Sequence, residues 1–479
     1  MNEKSTKRIL DLAAAEALKF RNSIPTRLHR PLKTYAEMKD IFAAPLPEHP
    51  EDGETVIREL AEKADQGLML PTGPRFFGWV IGGSHTVGVA ADWLTSAWGQ
   101  NVGNHHADPA ASASETTAAG WLLDLLDLPR ESSVGFVTGA TVANFVCLAA
   151  ARDEMLRKAG WNADADGLFG APPVNVMIGD DAHTTVFSAL QFLGLGHDRV
   201  IRVKTDDQGR MLVPAFAEAI AKTRGPTIAI AQAGQINTGA FDRFSEIVPL
   251  VKNAGAWLHV DGAFGLWARA SSKTRDLAKG IGGADSWATD GHKWLQTPYD
   301  SGYAIVRHEL AHRRAVTIAA SYLPMAAEGE RDPSHYVPEL SRRARGFPTW
   351  AMIKHLGRSG IAAMVERHCD VARLMAKKLG EESGIEVLND VVLNQIIVRF
   401  GKGETIERGD QLTRDTIARI QADGECFAGG ALWRGLQVMR LSVIGWETTA
   451  SEGIRSVDAI VKAWQIVKQQ PECKSHENV

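Results

Sequence analysis

AWLHVDGAFG, residues 256–265, decides the fold. Its first half is apolar enough for a strand buried on both faces, and it ends on Asp261 and a run of small residues. Such a strand belongs to a parallel sheet covered by helices, whose ligands bind at the carboxyl ends of the strands. A lone carboxylate there is costly, so Asp261 needs a cationic partner or the amide groups of a following helix.

Outward from this stretch the same alternation recurs. SVGFVTG (133–139) reads as a strand and residues 140–160 as a helix; VNVMIGDDAH (174–183) is a strand before a helical TTVFSALQFLG. RVIRVKTDD (199–207), PTIAIAQAG (226–234) and ADSWATDGHKW (284–294) are further strands, and FSEIVPLVKNAG (244–255) is a helix. Strands alternating with helices predict a mostly parallel α/β sheet. After about residue 345 the pattern changes: a helical 349–384 leads to strand-like VLNQIIVRF (392–400) and LQVMRLSVIG (436–445), then a final helix from about 450. The expected organisation is an N-terminal arm (1–75), a large α/β domain (76–345) and a small α+β domain (346–479). Within the arm, residues 5–20 have helical spacing and 42–53 (FAAPLPEHPEDG) are extended. An arm of this kind packs on the main body or on another subunit.

The totals narrow the function classes. At 479 residues the chain exceeds one ordinary core. A formal net charge of -4 gives no reason to expect nucleic acid or an anionic membrane as partner. The densest basic run, LSRRARGF (340–347), reads as a local anion site or a solvated face. Four dispersed cysteines, Cys147, Cys369, Cys426 and Cys473, suit a reducing cytoplasm and form no metal-binding pair. No secretory h-region and no membrane-length apolar run is present, so a soluble cytoplasmic protein is expected. The polar tail from 469 is expected to fray.

Strand ends carry the chemistry. Gly139, Ala140 and Thr141 open a helix, where backbone N–H groups and a hydroxyl can approach a phosphate. His183 ends another strand, a place where a histidine is more often structural than catalytic. Asp261 ends the strand quoted above. ATDGHKWLQTPYDSG (288–302) then brings Lys293, far enough on for a helical crossover and a return to the same rim. An arbitrary lysine is surface charge; a lysine in a dry pocket can form an imine. Phosphate cradle, acid, stacking ring and lysine in this order suit one cofactor, pyridoxal 5'-phosphate.

With these motifs the chain resembles the pyridoxal-phosphate-dependent group II amino-acid decarboxylases of the aspartate-aminotransferase fold (fold type I). The likeness runs from PRFFGWVIGGS (74–84) through HVDGAFG and DGHKWL to SRRARG and MRLSV. It implies a mostly parallel, seven-stranded sheet flanked by helices. It also implies a homodimer with the active site at the interface. By matching motif, Lys293 is the imine lysine and His292 supports it or the phosphate. Asp261 pairs with the ring nitrogen, and His183 and Ala263 cover the two ring faces. Ala140 and Thr141 bind phosphate. Asp290 stands where relatives often have asparagine, and Asn237 is a hydrogen-bonding residue near the site. Phe77, Trp79, Val80, Ile81 and Gly82 match a stretch that lines the substrate pocket, which implies a hydrophobic or aromatic L-amino acid. Aromatic-amino-acid decarboxylases use a loop tyrosine to protonate the substrate carbon; the matching position is Pro333, with His335 and Tyr336 as neighbouring substitutes. The expected reaction is therefore decarboxylation to the amine and CO2. The alternatives are a carbon–carbon lyase using SRRARG as a second phosphate site, an aldehyde-forming oxidase, and a non-catalytic cofactor-binding protein.

Overall fold

A computed structural model of the chain describes residues 3–317 and 330–470; Cys473 and the polar tail from 471 lie outside the described residues. Seven strands form the large sheet: β1 (Ser133–Val137), β2 (Asn175–Gly179), β3 (Ile201–Val203), β4 (Thr227–Gln232), β5 (Trp257–Asp261), β6 (Ser286–Asp290) and β7 (Gly302–Val306). Their spatial order is β1-β7-β6-β5-β4-β2-β3. Neighbours from β6 through β3 run parallel, whereas β7 is antiparallel to both β6 and β1. Every residue of β1, β4, β5, β6 and β7 is buried, as expected of a sheet sandwiched between helices.

The expected mostly parallel sheet is therefore present, with two local differences. GYAIV (302–306) is an additional strand: Pro298, Asp300 and Ser301 supply the turn residues of the loop that reverses the chain, and five residues are too few for a periodicity to stand out. It starts where Gly302 meets Gly139: a Cβ on Gly302 would lie 2.5 Å from the Gly139 Cα. Only a residue without a side chain lets β7 enter the sheet beside the helix that follows β1. The crossover from β5 to β6 was expected to be helical, but it consists of three short 3-10 turns (Gly265–Ala270, Arg275–Ala278, Ile281–Gly283). Its glycines and its Ser-Ser-Lys-Thr run do not sustain an α-helix.

A second, antiparallel sheet has the order β10-β11-β9-β8, from β8 (Ile385–Val387), β9 (Gln395–Phe400), β10 (Gly429–Trp433) and β11 (Leu436–Ser442). A long helix, Gly346–Gly380, links the two units and bends at Gly357, where φ is 61°. As far as Val365, with Met352 and Met364, the helix packs into the core of the large sheet. From Val371 on, with Met375 and Leu379, it packs under the small sheet. Four fully buried tryptophans, Trp257, Trp267, Trp287 and Trp294, fill the large core. Truncating a buried aromatic of this kind to alanine costs about 3–5 kcal/mol.

The arm contains helices Glu3–Ser23, Tyr35–Phe42 and Gly53–Asp65, none with a buried residue. Arg21 donates to the Ser84 carbonyl, the His29 amide donates to Gly424, and Arg75 pairs with Glu425 and Glu452, so the arm is tied to the body at several points. Leu10 and Leu18 remain 60% exposed.

Candidate active site

The carboxyl ends of β1, β4, β5 and β6 open on one cavity of about 330 Å³. Ala140, Thr141, His183, Asp261, Ala263, Asp290, His292 and Lys293 all line it. Eight residues separated by up to 153 positions in the chain thus meet at one rim, because parallel strands all deliver their ends to the same side.

Asp261 is the last residue of β5 and is buried. One of its oxygens accepts from the Ala263 amide at 3.2 Å, and among the described residues no cation lies within ion-pair distance. A buried carboxylate with so little compensation is costly unless a cationic group completes it. Lys293 follows β6; its Nζ is 2.9 Å from Asp290 Oδ2 and 5.9 Å from the Phe264 ring centroid. Asp290 also accepts from the Ala140 amide at 2.6 Å. The carboxylate thus occupies the first free N–H of the helix Ala140–Lys158.

His183 caps the helix Thr184–Phe192, its Nδ1 accepting from the Thr185 amide, so the neutral ring carries its proton on Nε2. Burial lowers its pKa, with the charges of Lys293 and Arg440 adding to the effect against the opposing pull of Asp261. His292 is also lowered by burial; its Nδ1 accepts from the Ser301 amide at 3.2 Å and its ring stacks on Tyr299 at 4.2 Å.

Other expected residues lie elsewhere. Asn237 is buried beside the cavity without lining it, and its Oδ1 accepts from Arg440 at 3.3 Å. None of Phe77, Trp79, Val80, Ile81 or Gly82 is among the cavity-lining residues. Phe77 is fully buried in the small-sheet core, Val80 in the large one, and Trp79 is 53% exposed with its ring against Phe427. Ile81 is half-buried, and the Gly82 amide donates to the His292 carbonyl. Tyr336 sits at the opposite end of the sheet: its hydroxyl donates to Glu309, and its carbonyl accepts from His312, whose other nitrogen meets Ser133 at the start of β1. His335 lies beside Arg313 and Asp332.

The SRRARG run is neither an anion site nor a solvated face. Arg342 forms a buried bidentate pair with Glu115 at 2.8 and 2.7 Å, Arg343 pairs with Asp92, and Arg345 with Asp300. Carboxylates distant in sequence had already claimed each guanidinium, which no local pattern reveals.

Sequence reasoning missed Tyr299, Ile236, Phe264 and Thr185 as cavity-lining residues. It also missed Arg440 on β11, a half-buried guanidinium lowered by desolvation and paired with no carboxylate among the described residues. Its only local signal is an arginine within an otherwise apolar strand.

These groups fit pyridoxal phosphate. Asp261 lacks a cation among the described residues, Lys293 reaches the same cavity, and Gly139 leaves space where a Cβ would come within 3.0 Å of His292 and 3.3 Å of Asp290. The fold and the site define a pyridoxal-phosphate enzyme of the aminotransferase-like α/β class. Residues 36–400 match the family model described as "Pyridoxal-dependent decarboxylase conserved domain", and the chain belongs to that family of amino-acid carboxy-lyases. It is 28% identical over 416 residues to an aromatic-L-amino-acid decarboxylase of Bacillus atrophaeus, covering 85% of this chain and 84% of that one. A phenylacetaldehyde synthase of a Rosa hybrid cultivar is 24% identical over 455 residues, covering 90% and 87%. The solved structure of Oryza sativa TDC with PLP and tryptamine superposes with a TM-score of 0.90 at 21% identity, over 97% of this chain and 99% of that one.

Proposed function

We infer that the protein decarboxylates a hydrophobic or aromatic L-amino acid to its amine, with Lys293 as the cofactor-linking lysine. The single observation that carries this reading is the convergence of Lys293 and the uncompensated Asp261 carboxylate on one cavity. When bound, pyridoxal phosphate supplies a protonated ring that accepts the electrons released as CO2 departs. Asp261 would hold the proton on the ring nitrogen, while His183 and Ala263 cover the ring faces. Ala140, Thr141 and His292 would hold the phosphate. Arg440, paired with no carboxylate among the described residues, would orient the substrate carboxylate, and Lys293 would carry a proton to or from the substrate. Ile236, Phe264 and Tyr299 give the cavity an apolar wall, which favours an apolar side chain with modest selectivity.

Two observations bear on the alternatives. Pairing of all three SRRARG arginines with carboxylates counts against a lyase that needs a second phosphate site. The bond from Tyr336 to Glu309, at the far end of the sheet, removes this tyrosine from its own protomer's cavity. With proline at 333, this favours the aldehyde-forming oxidase as the second reading. A panel of L-amino acids with products identified by mass separates the two: amine plus CO2 supports decarboxylation, and aldehyde with ammonia and peroxide replaces it with the oxidase.

The protein is further proposed to act as a homodimer in the cytoplasm. An apolar cleft of about 360 Å³ between the arm (Ala14, Ala17, Leu18) and the helix Thr86–Trp98 (Val89, Trp93) supports the dimer. Exposed Leu94 and Trp98 continue that surface. Cys147, Cys369 and Cys426 are free thiols, in keeping with a reducing compartment. Among the described residues no helix is long and apolar enough to cross a membrane.

A further inference from the structure

Three residues beyond Lys293 lies Gln296, fully buried, with a backbone in the left-handed region at φ 58°. A non-glycine residue holds that conformation only where its surroundings over-determine it. Here the surroundings are three separate chain segments. The Gln296 Oε1 accepts from the Gly83 amide at 2.6 Å, and its backbone carbonyl accepts from the His85 amide at 2.9 Å. Its Nε2 donates to the Lys293 carbonyl at 3.0 Å and to the Ile444 carbonyl at 2.7 Å. One amide therefore joins the turn that carries Lys293, the segment 82–85, and the chain leaving β11 in the small domain.

Two neighbouring contacts run in the same direction. Trp294 donates to His368 Nδ1 at 2.9 Å, and the other ring nitrogen of His368 donates to the Gly445 carbonyl at 2.9 Å. Gly82 lies so close to the Lys293 peptide that a Cβ there would come within 2.2 Å of the Lys293 carbonyl oxygen. The turn that carries Lys293 is thus fastened twice, through Trp294 and through Gln296, to residues 444–445. A carboxamide is the side chain that satisfies this junction, because one end must accept from an N–H while the other donates to two carbonyls. A hydrocarbon of the same length would leave the Gly83 N–H and the Ile444 carbonyl buried and unpaired, while the Lys293 carbonyl would keep only the Gln296 backbone N–H at 3.3 Å.

We propose that Gln296 is a positioning residue that couples the seating of the small domain to the orientation of Lys293, so that cofactor loading and domain seating are one linked equilibrium. The proposal rests on Lys293 being the cofactor lysine. Gln296 touches neither cofactor nor substrate; it acts through the Lys293 carbonyl and the backbone at Gly83 and Ile444.

The test uses the full chain stripped of cofactor and titrated with pyridoxal phosphate, followed by the visible absorbance that linkage to a lysine produces. Gln296→Met keeps length and volume but makes none of the side-chain hydrogen bonds of Gln296. It is expected to load the cofactor about tenfold more weakly, the ratio given by one buried hydrogen bond left unmade, and to shift the pH midpoint of the absorbance. Gln296→Glu keeps the acceptor for Gly83 and loses the donors when ionised, so its loading should recover toward the parent's as pH falls. In the unmodified protein, loading should slow amide exchange at residues 82–85 and 443–446. Parent-like loading and pH midpoint in Gln296→Met, or amide exchange at those segments unaffected by loading, would overturn the proposal. Lys293→Ala is the separate control: visible absorbance retained in that variant would refute the lysine assignment itself, whatever Gln296 does.

Discussion

Asp261 and Lys293 carry the chemistry through opposite kinds of incompleteness. The lysine has a carboxylate partner, Asp290, 2.9 Å away, whereas the Asp261 carboxylate has one backbone donor and, among the described residues, no cation. Replacing Asp261 with alanine should therefore preserve cofactor binding, since the phosphate and lysine contacts remain. Turnover should fall by roughly 100-fold or more, the scale of losing one preorganised electrostatic partner. Stopped-flow measurement of kcat checks this, and an unchanged rate would reject the assigned role. Asp261 was legible because it ends a strongly apolar strand with a carboxylate, and Lys293 because it stands in the DGHKW run just beyond β6. Arg440 and Tyr299 were not, since an arginine in a strand and a tyrosine in a loop acquire meaning only from their neighbours.

At the scale of elements, the helix Pro109–Leu125, the strand β1 and the SRRARG segment are locked by one buried ion pair. Glu115 is fully buried and holds Arg342 by two hydrogen bonds; Arg342 also reaches the Phe136 carbonyl. Removing one partner of such a pair strands a charge. Arg342→Met should thus lower stability by about 3–5 kcal/mol, measured by urea denaturation. Exchanging both partners for apolar residues should not recover that loss, because Arg331, partly buried and 3.6 Å from the Glu115 carboxylate, would then be left without it. The strands β1, β2 and β4 to β6 were readable from their apolar runs. The strand β7 and the 3-10 crossover were not, because short elements between glycines depend on packing rather than on their own periodicity.

Over the whole molecule, burial sets a common response to acid. His259, His312 and His368 are pushed down to about 3, and His29 and His85 to about 4, all chiefly by desolvation. In the unfolded chain these rings bind protons near 6.5, so the unfolded state gains protons first as pH falls. Stability should be level above about pH 6.5 and decline from there toward pH 4. Asp242, raised by burial to about 6, opposes this between its ordinary value of 3.8 and that point, and it offsets only one of the five. Denaturation midpoints across this range check the sign; a curve rising toward acid would contradict it. The same scale contains the proposed dimer. A carboxylate at Leu18, in the cleft beside Trp93, should shift sedimentation toward the monomer while leaving the fold intact.

The amino-acid order alone determined the sheet class, the cofactor and the strand-end residues Gly139, His183, Asp261 and Lys293, because apolar runs and their terminal groups are local properties. Tertiary structure decided which charges remain available. It consumed Arg342, Arg343 and Arg345 in ion pairs, left Arg440 without one, and withdrew Tyr336 to the far rim of the sheet. Pairing depends on which distant side chains arrive within a few ångströms, and that is settled only when the strands and helices pack.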